Sequence, residues 1–391
     1  MLSQQEIEEM AAELVEIYSK IESDLLTNVA RRFSVLEEID PESIAAWQTE
    51  KLLQLGALNK ENIKTISKRS GKTVKEIERI LKTGGFKAIR MDEAIYKEAY
   101  AQGQLDKMAL PVSLSPNLRQ VLEGAIYNAR EYFNLINTTA LESSRDGFLK
   151  IINQTYLEVS TGVSTHQQAV RKAVRQLADK GITGANYISE SGRRTRNHID
   201  VAVKRAIVTS TSQTAGDMQV KRAKEWGSNL VEVTSHAGSR PSHAVWQGRI
   251  FMLEGGSAKY PNLVEATGYG SVTGLKGANC GHDFYPFFEG ISEQTYKPYD
   301  LKENEKIYEQ SQKQRKLERD IRQQKRRIIA ADAISDEQTK LKAQLALKAK
   351  ESKLREFVNT TGRTQRTDRQ QVVGFGQSEA MQAVWAKKKN S

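Results

Sequence analysis

The chain has 391 residues, with 59 Lys plus Arg against 48 Asp plus Glu, a formal charge of +11 and a single cysteine. One cysteine excludes an intrachain disulfide framework, and no run of roughly 18 apolar residues offers a membrane span. A charged fraction of 27% and a mean hydropathy of -0.58 point away from one compact globule and toward solvated helices.

The start, MLSQQEIEEMAAEL, is acidic where a secretory signal would be basic and then apolar, so the expected site of synthesis and folding is the cytoplasm. Ser3 and Glu6 have capping-box spacing. After them Ile7, Met10, Leu14, Ile17, Ile21, Leu25 and Val29 recur every three or four residues, drawing one stripe along a helix that needs a partner. A second helix is predicted over residues 42–57, ending near Gly56. In NIKTISKRSGKTVKEIERIL, residues 62–81, two short amphipathic segments meet at Ser70-Gly71, with Gly84-Gly85 as the stop. That outline predicts a helical hairpin, either a DNA-reading helix-turn-helix or a plain packing unit.

Helical periodicity continues from residue 115 to 226. Thr165 and Gln168 cap a helix whose Ala169, Val170, Ala173, Val174, Leu177 and Ala178 share one face, and Gly181 stands where a left-handed residue is needed. A further long helix is expected from about residue 189 to 227. Its basic residues, Arg193, Arg194 and Arg196 at the start with Lys204 and Arg205 beyond, are a candidate phosphate-contacting surface, with a merely solvated face as the alternative. His166 and His198 are expected on helical faces without a special role.

At residue 230 the texture changes. LVEVT alternates like a strand, a turn follows at Gly238, Pro241 and Trp246-Gln247-Gly248 lead to a second strand at 249–253, and glycines crowd positions 255–281. This small strand-containing unit carries three of the five histidines and the only cysteine. Two sparsely apolar helices are predicted after Pro298, the second from Ser335 to Phe357, and the first is expected to lie on a partner. A basic tail that includes Lys387, Lys388 and Lys389 follows, expected to order only on contact and to touch nucleic acid. The expected fold is therefore mainly α with a small α+β unit: an extended helical region over residues 1–112, a helical middle over 113–229, a compact strand-containing unit over 230–298, long polar helices over 299–358 and a flexible tail over 359–391.

The chemistry of the central unit allows three readings. His236, His243, Cys280 and His282 have the donor types of a tetrahedral zinc set, although neither C-x2-C nor H-x3-5-H spacing is present. Cys280 could instead be a nucleophile paired with one of those histidines and oriented by Asn279 or Asp283, but GANCGHDFYP reads as a loop entering a strand and not as a helix N-terminus that would activate the thiol. Third, Cys280 could be a packed thiol beside Tyr285, Phe287 and Phe288. No phosphate-binding G-x-x-x-x-G-K-[ST], no H-E-x-x-H and no G-x-S-x-G occurs.

The run SHAGSRPSHAVWQGRIF, followed by GANCGHDFYPFFEGISEQTY, closely resembles the phage minor capsid protein 2 family, which is distantly similar to the Mu F-like head morphogenesis proteins. VAVKRAIVTSTSQTAGDMQ upstream and the polar helices downstream also resemble that family. The matching positions are His236, Arg240, Pro241, His243, Trp246, Gln247 and Gly248, then Asn279, Cys280, His282, Pro286 and Phe287. Gly281 stands where the family usually has arginine. The resemblance implies a virion structural protein made in the host cytoplasm, placed at the portal vertex or the capsid interior, and without enzymatic activity. It also implies the portal protein, other capsid proteins, sister copies and packaged double-stranded DNA as partners, no membrane, and no cofactor unless zinc. The alternative function is a virion-carried metal- or thiol-dependent enzyme using the His236, His243, Cys280 and His282 cluster.

Overall fold

The structure, a computed structural model, describes residues 2–33, 38–188, 192, 194–372 and 375; Arg193, Lys387, Lys388 and Lys389 lie outside the described residues. Helices dominate. In chain order they are α1 (Gln4–Arg31), α2 (Ile44–Leu53), α3 (Leu55–Ala101), α4 (Pro116–Ser160) and α5 (His166–Lys180), then α6 (Ile199–Trp226), the short α7 (Pro241–Ala244) and α8 (Leu263–Thr267), and α9 (Leu301–Ala333) and α10 (Glu337–Thr361). Strands β1 (Thr183–Ile188) and β2 (Arg194–His198) form one antiparallel pair. Strands β3 (Leu230–Val233), β4 (Ile250–Met252) and β5 (Phe284–Pro286) form an antiparallel sheet in the order β4-β3-β5. The chain falls into two compact units, one from Met1–Leu14, Lys72–Phe133 and Lys204–Gln312, the other from Val15–Gly71, Asn134–Val203 and Lys313–Ser391.

Helix α1 has the capping box read from its sequence: the Ser3 backbone N–H donates to the Glu6 carboxylate (2.8 Å) and the Glu6 N–H donates to Ser3 Oγ (3.2 Å). The stripe behind it is not left for an outside partner. Ile7, Leu14, Ile21, Leu25 and Val29 are all buried within the chain, Val29 against the second unit's Phe148, Ile151 and Val174.

The hairpin expected over residues 62–81 is absent, because α3 runs 47 residues without a break. Its buried positions, among them Leu58, Asn62 and Ile66 before Gly71 and Thr73, Ile77, Ile80, Gly84, Ala88, Asp92, Tyr96 and Ala99 after it, recur every three or four residues on each side, and the seven-residue step from Ile66 to Thr73 keeps them on one face, so burial of that stripe outweighs the roughly 1 kcal/mol cost of an interior glycine. Gly84 and Gly85 are packing residues: a Cβ on Gly84 would overlap the Thr211 methyl, and one on Gly85 the Met218 sulfur, both on α6. Gly56 likewise lies inside α3, and α2 ends at Leu53.

Helix α5 carries the predicted reciprocal Thr165–Gln168 cap, both bonds at 3.3 Å, and ends at Gly181 with φ +61°. The long helix expected from about 189 begins only at Ile199, since residues 194–198 pair with β1 as a strand. Arg194 and Arg196 are therefore exposed on a β-hairpin and not on a helix. His198 sits on the same strand, with Glu22 (3.5 Å) and Arg326 (3.3 Å) at its two ring nitrogens, and buried His166 meets the Trp47 ring edge-on at 4.9 Å.

The polar helices after Pro298 also find a partner in the chain itself. From Lys313 onward α9 packs antiparallel on α10, with Leu317, Ile321 and Ile328 facing Ala343, Leu347, Leu354 and Val358, and Lys350–Asp320 and Lys340–Asp332 ion pairs along the seam. Residues 359–361 complete α10, and 367–370 form a 3-10 turn whose Arg369 carbonyl accepts from Arg322, so the expected tail does not begin at 359.

Candidate functional site: a buried histidine and cysteine knot

The β4-β3-β5 sheet and its loops belong to the first unit. Val231, Val233, Trp246, Phe251, Leu263, Leu275, Cys280 and Phe284 form one apolar cluster around it. Cys280 packs in this cluster, while Phe288, one of its expected neighbours, joins a separate one with Tyr96 and Trp226.

All the motif residues serve this knot or the turns that frame it. Pro241 occupies the first turn of α7, where its missing N–H costs nothing, and so places His243 on that helix. Gly248 adopts φ +67°, and a Cβ there would stand 2.7 Å from both the Lys297 carbonyl oxygen and the Pro298 nitrogen. Asn279 takes φ +58°, a conformation asparagine tolerates well, in the turn that delivers Cys280. Pro286 closes β5 at the sheet edge, the position where a strand can spare a donor, and the Phe287 N–H donates to the Leu230 carbonyl (2.9 Å). Arg240 ties the facing loop in place, donating to the carbonyls of Ala278 (2.9 Å) and Thr273 (3.4 Å).

The ring contacts converge on His282. His236 stacks on it with centroids 4.4 Å apart, Trp246 meets it nearly edge-on at 4.8 Å, and His243 lies at 5.5 Å. Cys280 Sγ stands 3.6 Å from His282 Nδ1. One donor atom each from His243, Cys280 and His282 fit within 4.8 Å of one another, and all three residues are buried. His236 borders this set, with its Nε2 buried and without a hydrogen-bond partner. Gly281 lies between the two motif residues Cys280 and His282, and a Cβ there would come within 2.6 Å of Gln4 Oε1 and 3.0 Å of His236 Nε2. The arginine usual at this place in the family has no room in this packing.

Electrostatics follow from burial. Desolvation pushes the His282 imidazole down to about 2, helped by His236, His243 and the cations Arg240 and Lys276, and burial also lowers His236 and His243. Burial raises the Cys280 thiol, against which the backbone N–H groups of His282 and Lys276 act in the opposite direction. At neutral pH the knot is thus uncharged, with a protonated thiol beside neutral imidazoles. A nucleophilic cysteine needs the reverse arrangement, a lowered thiol beside an imidazolium. Asp283, considered above as an orienting group, pairs instead with buried Lys276.

Sequence reasoning missed a second polar network next to the knot. Gln219 on α6 donates to Asp92 on α3 (3.2 Å) and to the Phe284 carbonyl (2.7 Å), and burial together with the nearby Asp283 charge pushes Asp92 up to about 7. It also missed the reciprocal clasp in which Asn304 Oδ1 accepts from the Ser239 N–H (2.9 Å) while its amide donates to the Ser239 carbonyl (2.9 Å). The only sequence signal for either is a polar residue falling on a buried helical stripe, as Asp92 does.

In the first unit, helices frame one small sheet whose loops are fixed by side chains turned inward, the build of a structural protein. The chain belongs to the family described as Phage minor capsid protein 2, which matches residues 2–359. It is thus a bacteriophage minor capsid protein, a structural component of the virion. It is 28% identical over 338 residues to a structural protein of Lactococcus phage LL-H, covering 83% of this chain and 88% of that relative. It is also 35% identical over 118 residues to a structural protein of Lactococcus phage mv4, covering 30% of this chain and 95% of that relative. No solved structure matches. Among the described residues no helix is long and apolar enough to cross a membrane.

Proposed function

We propose that this minor capsid protein acts in head morphogenesis by holding partners in place and not by turning over a substrate. Its place is the portal vertex or the inner face of the shell, where it contacts the portal protein, other capsid proteins and packaged DNA. The observation that carries the non-catalytic reading is the knot itself. Its imidazoles each direct one ring nitrogen at a carbonyl or amide oxygen, and its thiol is packed inside the apolar cluster of the sheet and not presented to a cleft.

The DNA contact rests on charge. The net charge is +11, and on the β1-β2 hairpin Arg194 and Arg196 are exposed while Lys150 and Arg196 depress the Lys180 ammonium, behind the larger effect of its burial. That cluster presents positive potential to phosphates without any feature that reads bases. Exposed Met108, Leu110 and Leu114 supply apolar side chains for a protein partner.

Cross-linking of purified particles followed by peptide mapping tests the placement. Links from this chain to the portal protein and to DNA are expected, and links confined to tail proteins would contradict it. Duplex binding by the purified chain should weaken steeply with salt. The Arg194→Ala, Arg196→Ala double variant should flatten the log–log salt slope by about 1 to 2, and an unchanged slope would remove the hairpin from the interface. A reaction catalysed by the pure protein and lost in Cys280→Ser would favour the enzyme reading instead.

A further inference from the structure

We propose that the knot is a structural zinc site in which His243, Cys280 and His282 bind one Zn²⁺ and His236 supplies the fourth donor.

The hydrogen bonds around the rings fix their tautomers, and this is what points to a metal. A backbone carbonyl only accepts, so His243 Nε2, 2.8 Å from the Thr273 oxygen, carries the proton. His282 Nε2, 2.9 Å from Gln247 Oε1, is protonated for the same reason. His236 Nδ1 faces the Ala237 carbonyl (3.3 Å), which puts its proton there as well. Each imidazole is therefore left with a bare lone pair: Nδ1 of His243, Nδ1 of His282 and the buried, partnerless Nε2 of His236. The donors of His243, Cys280 and His282 lie within 4.8 Å of one another, the His236 ring stacks on His282 with its Nε2 buried, and a single S–H is all these groups have to share. A divalent cation satisfies all four.

The surroundings match what such a cation needs. Histidines that hold metals usually donate their second ring N–H to an oxygen, which orients the ring and makes the ligating nitrogen more basic; Thr273, Gln247 and Ala237 provide those oxygens. The Cys280–His282 separation of 3.6 Å is close to the edge of a tetrahedron with bonds of roughly 2.0 to 2.3 Å. One thiolate with imidazoles selects a borderline-soft ion such as Zn²⁺ over Mg²⁺ or Ca²⁺. Binding forms the Zn–S bond as the Cys280 thiol loses its proton to solvent, with no change of oxidation state. The bound ion would tie α7 to the loop entering β5, so the site adds a clamp to the proposed structural role without depending on which partner the chain meets.

The test uses the full-length chain without an affinity tag. Metal analysis after dialysis should find about one zinc per chain, and the metal-depleted protein should take up about one Co²⁺ with a thiolate-to-cobalt charge-transfer band. Because Cys280 is the only cysteine, that band can come from no other residue. Cys280→Ser should lose the band, and His236→Ala should keep it while weakening binding at least tenfold. A folded wild-type chain that takes up cobalt without the band, or takes up none, would overturn the site, and unchanged affinity in His236→Ala would overturn the four-donor form. Because these readouts need neither phage nor partner, they can fail while the structural reading of the chain stands.

Discussion

The core around Phe148 in the second unit and the knot around His282 in the first are both fully buried, yet they hold the chain in different ways. Phe148 sits among Phe33, Ile151, Ile152, Val170, Val174 and Leu177, an apolar cluster in which stabilisation scales with area and no single contact decides the geometry. In the knot the decisive contacts are a few directional polar ones, His243 to Thr273, His282 to Gln247, and Arg240 to Ala278 and Thr273. Apolar volume makes the helices stable. The directional bonds make the loop geometry unique, because a buried polar group left without its partner costs more than the bond contributes.

Substitutions can break this contrast, and the largest effect belongs in the bundle. Phe148→Ala should destabilise the chain by about 3 to 5 kcal/mol in chemical denaturation followed through Trp47, and a loss below about 1 kcal/mol would mean that the cluster is not the second unit's core. In the knot, Gln247→Leu keeps the volume but strands the His282 Nε2–H and the His236 backbone N–H, both of which use Gln247 Oε1. A cost of about 1 to 3 kcal/mol with loss of His282 ring protection in hydrogen exchange is expected. A neutral outcome would show that the knot is held by packing alone.

Titration sharpens the same contrast. Asp92 is raised from about 4 to about 7, so in this window the folded chain binds more protons than the unfolded one, and the Asp92 contribution to stability is present below pH 4 and lost as pH rises toward 7. Relative to the parent, Asp92→Asn should therefore gain stability across that range, by at most about 1.4 kcal/mol per pH unit. A parallel pair of stability curves would refute the shift. The smallest effects test the glycines of α3. Nothing lies within 4 Å of a Cβ at Gly71, so Gly71→Ala should stabilise by about 0.5 to 1 kcal/mol, whereas Gly84→Val should destabilise by about 1 to 3 kcal/mol through its clash with Thr211. Destabilisation by Gly71→Ala would restore a turn at that position.

The sequence made the periodic elements legible: the capped α1, the face of α5 and the strands at 230 and 250 all follow from spacing and caps. What it hid were cases where tertiary contact reverses a local signal. Gly71 and Gly84-Gly85 are punctuators by local preference, but one lies on the exposed side of a long stripe and the others make room for α6. Residues 194–198 carry a helix-like basic start, yet they pair with β1, whose registry no local pattern announces. The thinly apolar α9 and α10 read as needing an outside partner because each stripe is narrow alone, and only their pairing makes a core. At the knot, residue types and the loop-to-strand setting were readable. The carbonyls of Thr273, Ala237 and Ala278 were not, because a backbone acceptor leaves no mark in a sequence.

The most direct test of the central claim, that the knot builds the protein and does not run a reaction, is to quantify this chain in purified particles from phage carrying Cys280→Ser or His282→Ala. Its incorporation should fall severalfold, in step with the lost stability of the purified variants. Particles containing the normal amount of well-folded variant, yet failing at a later step of infection, would contradict it.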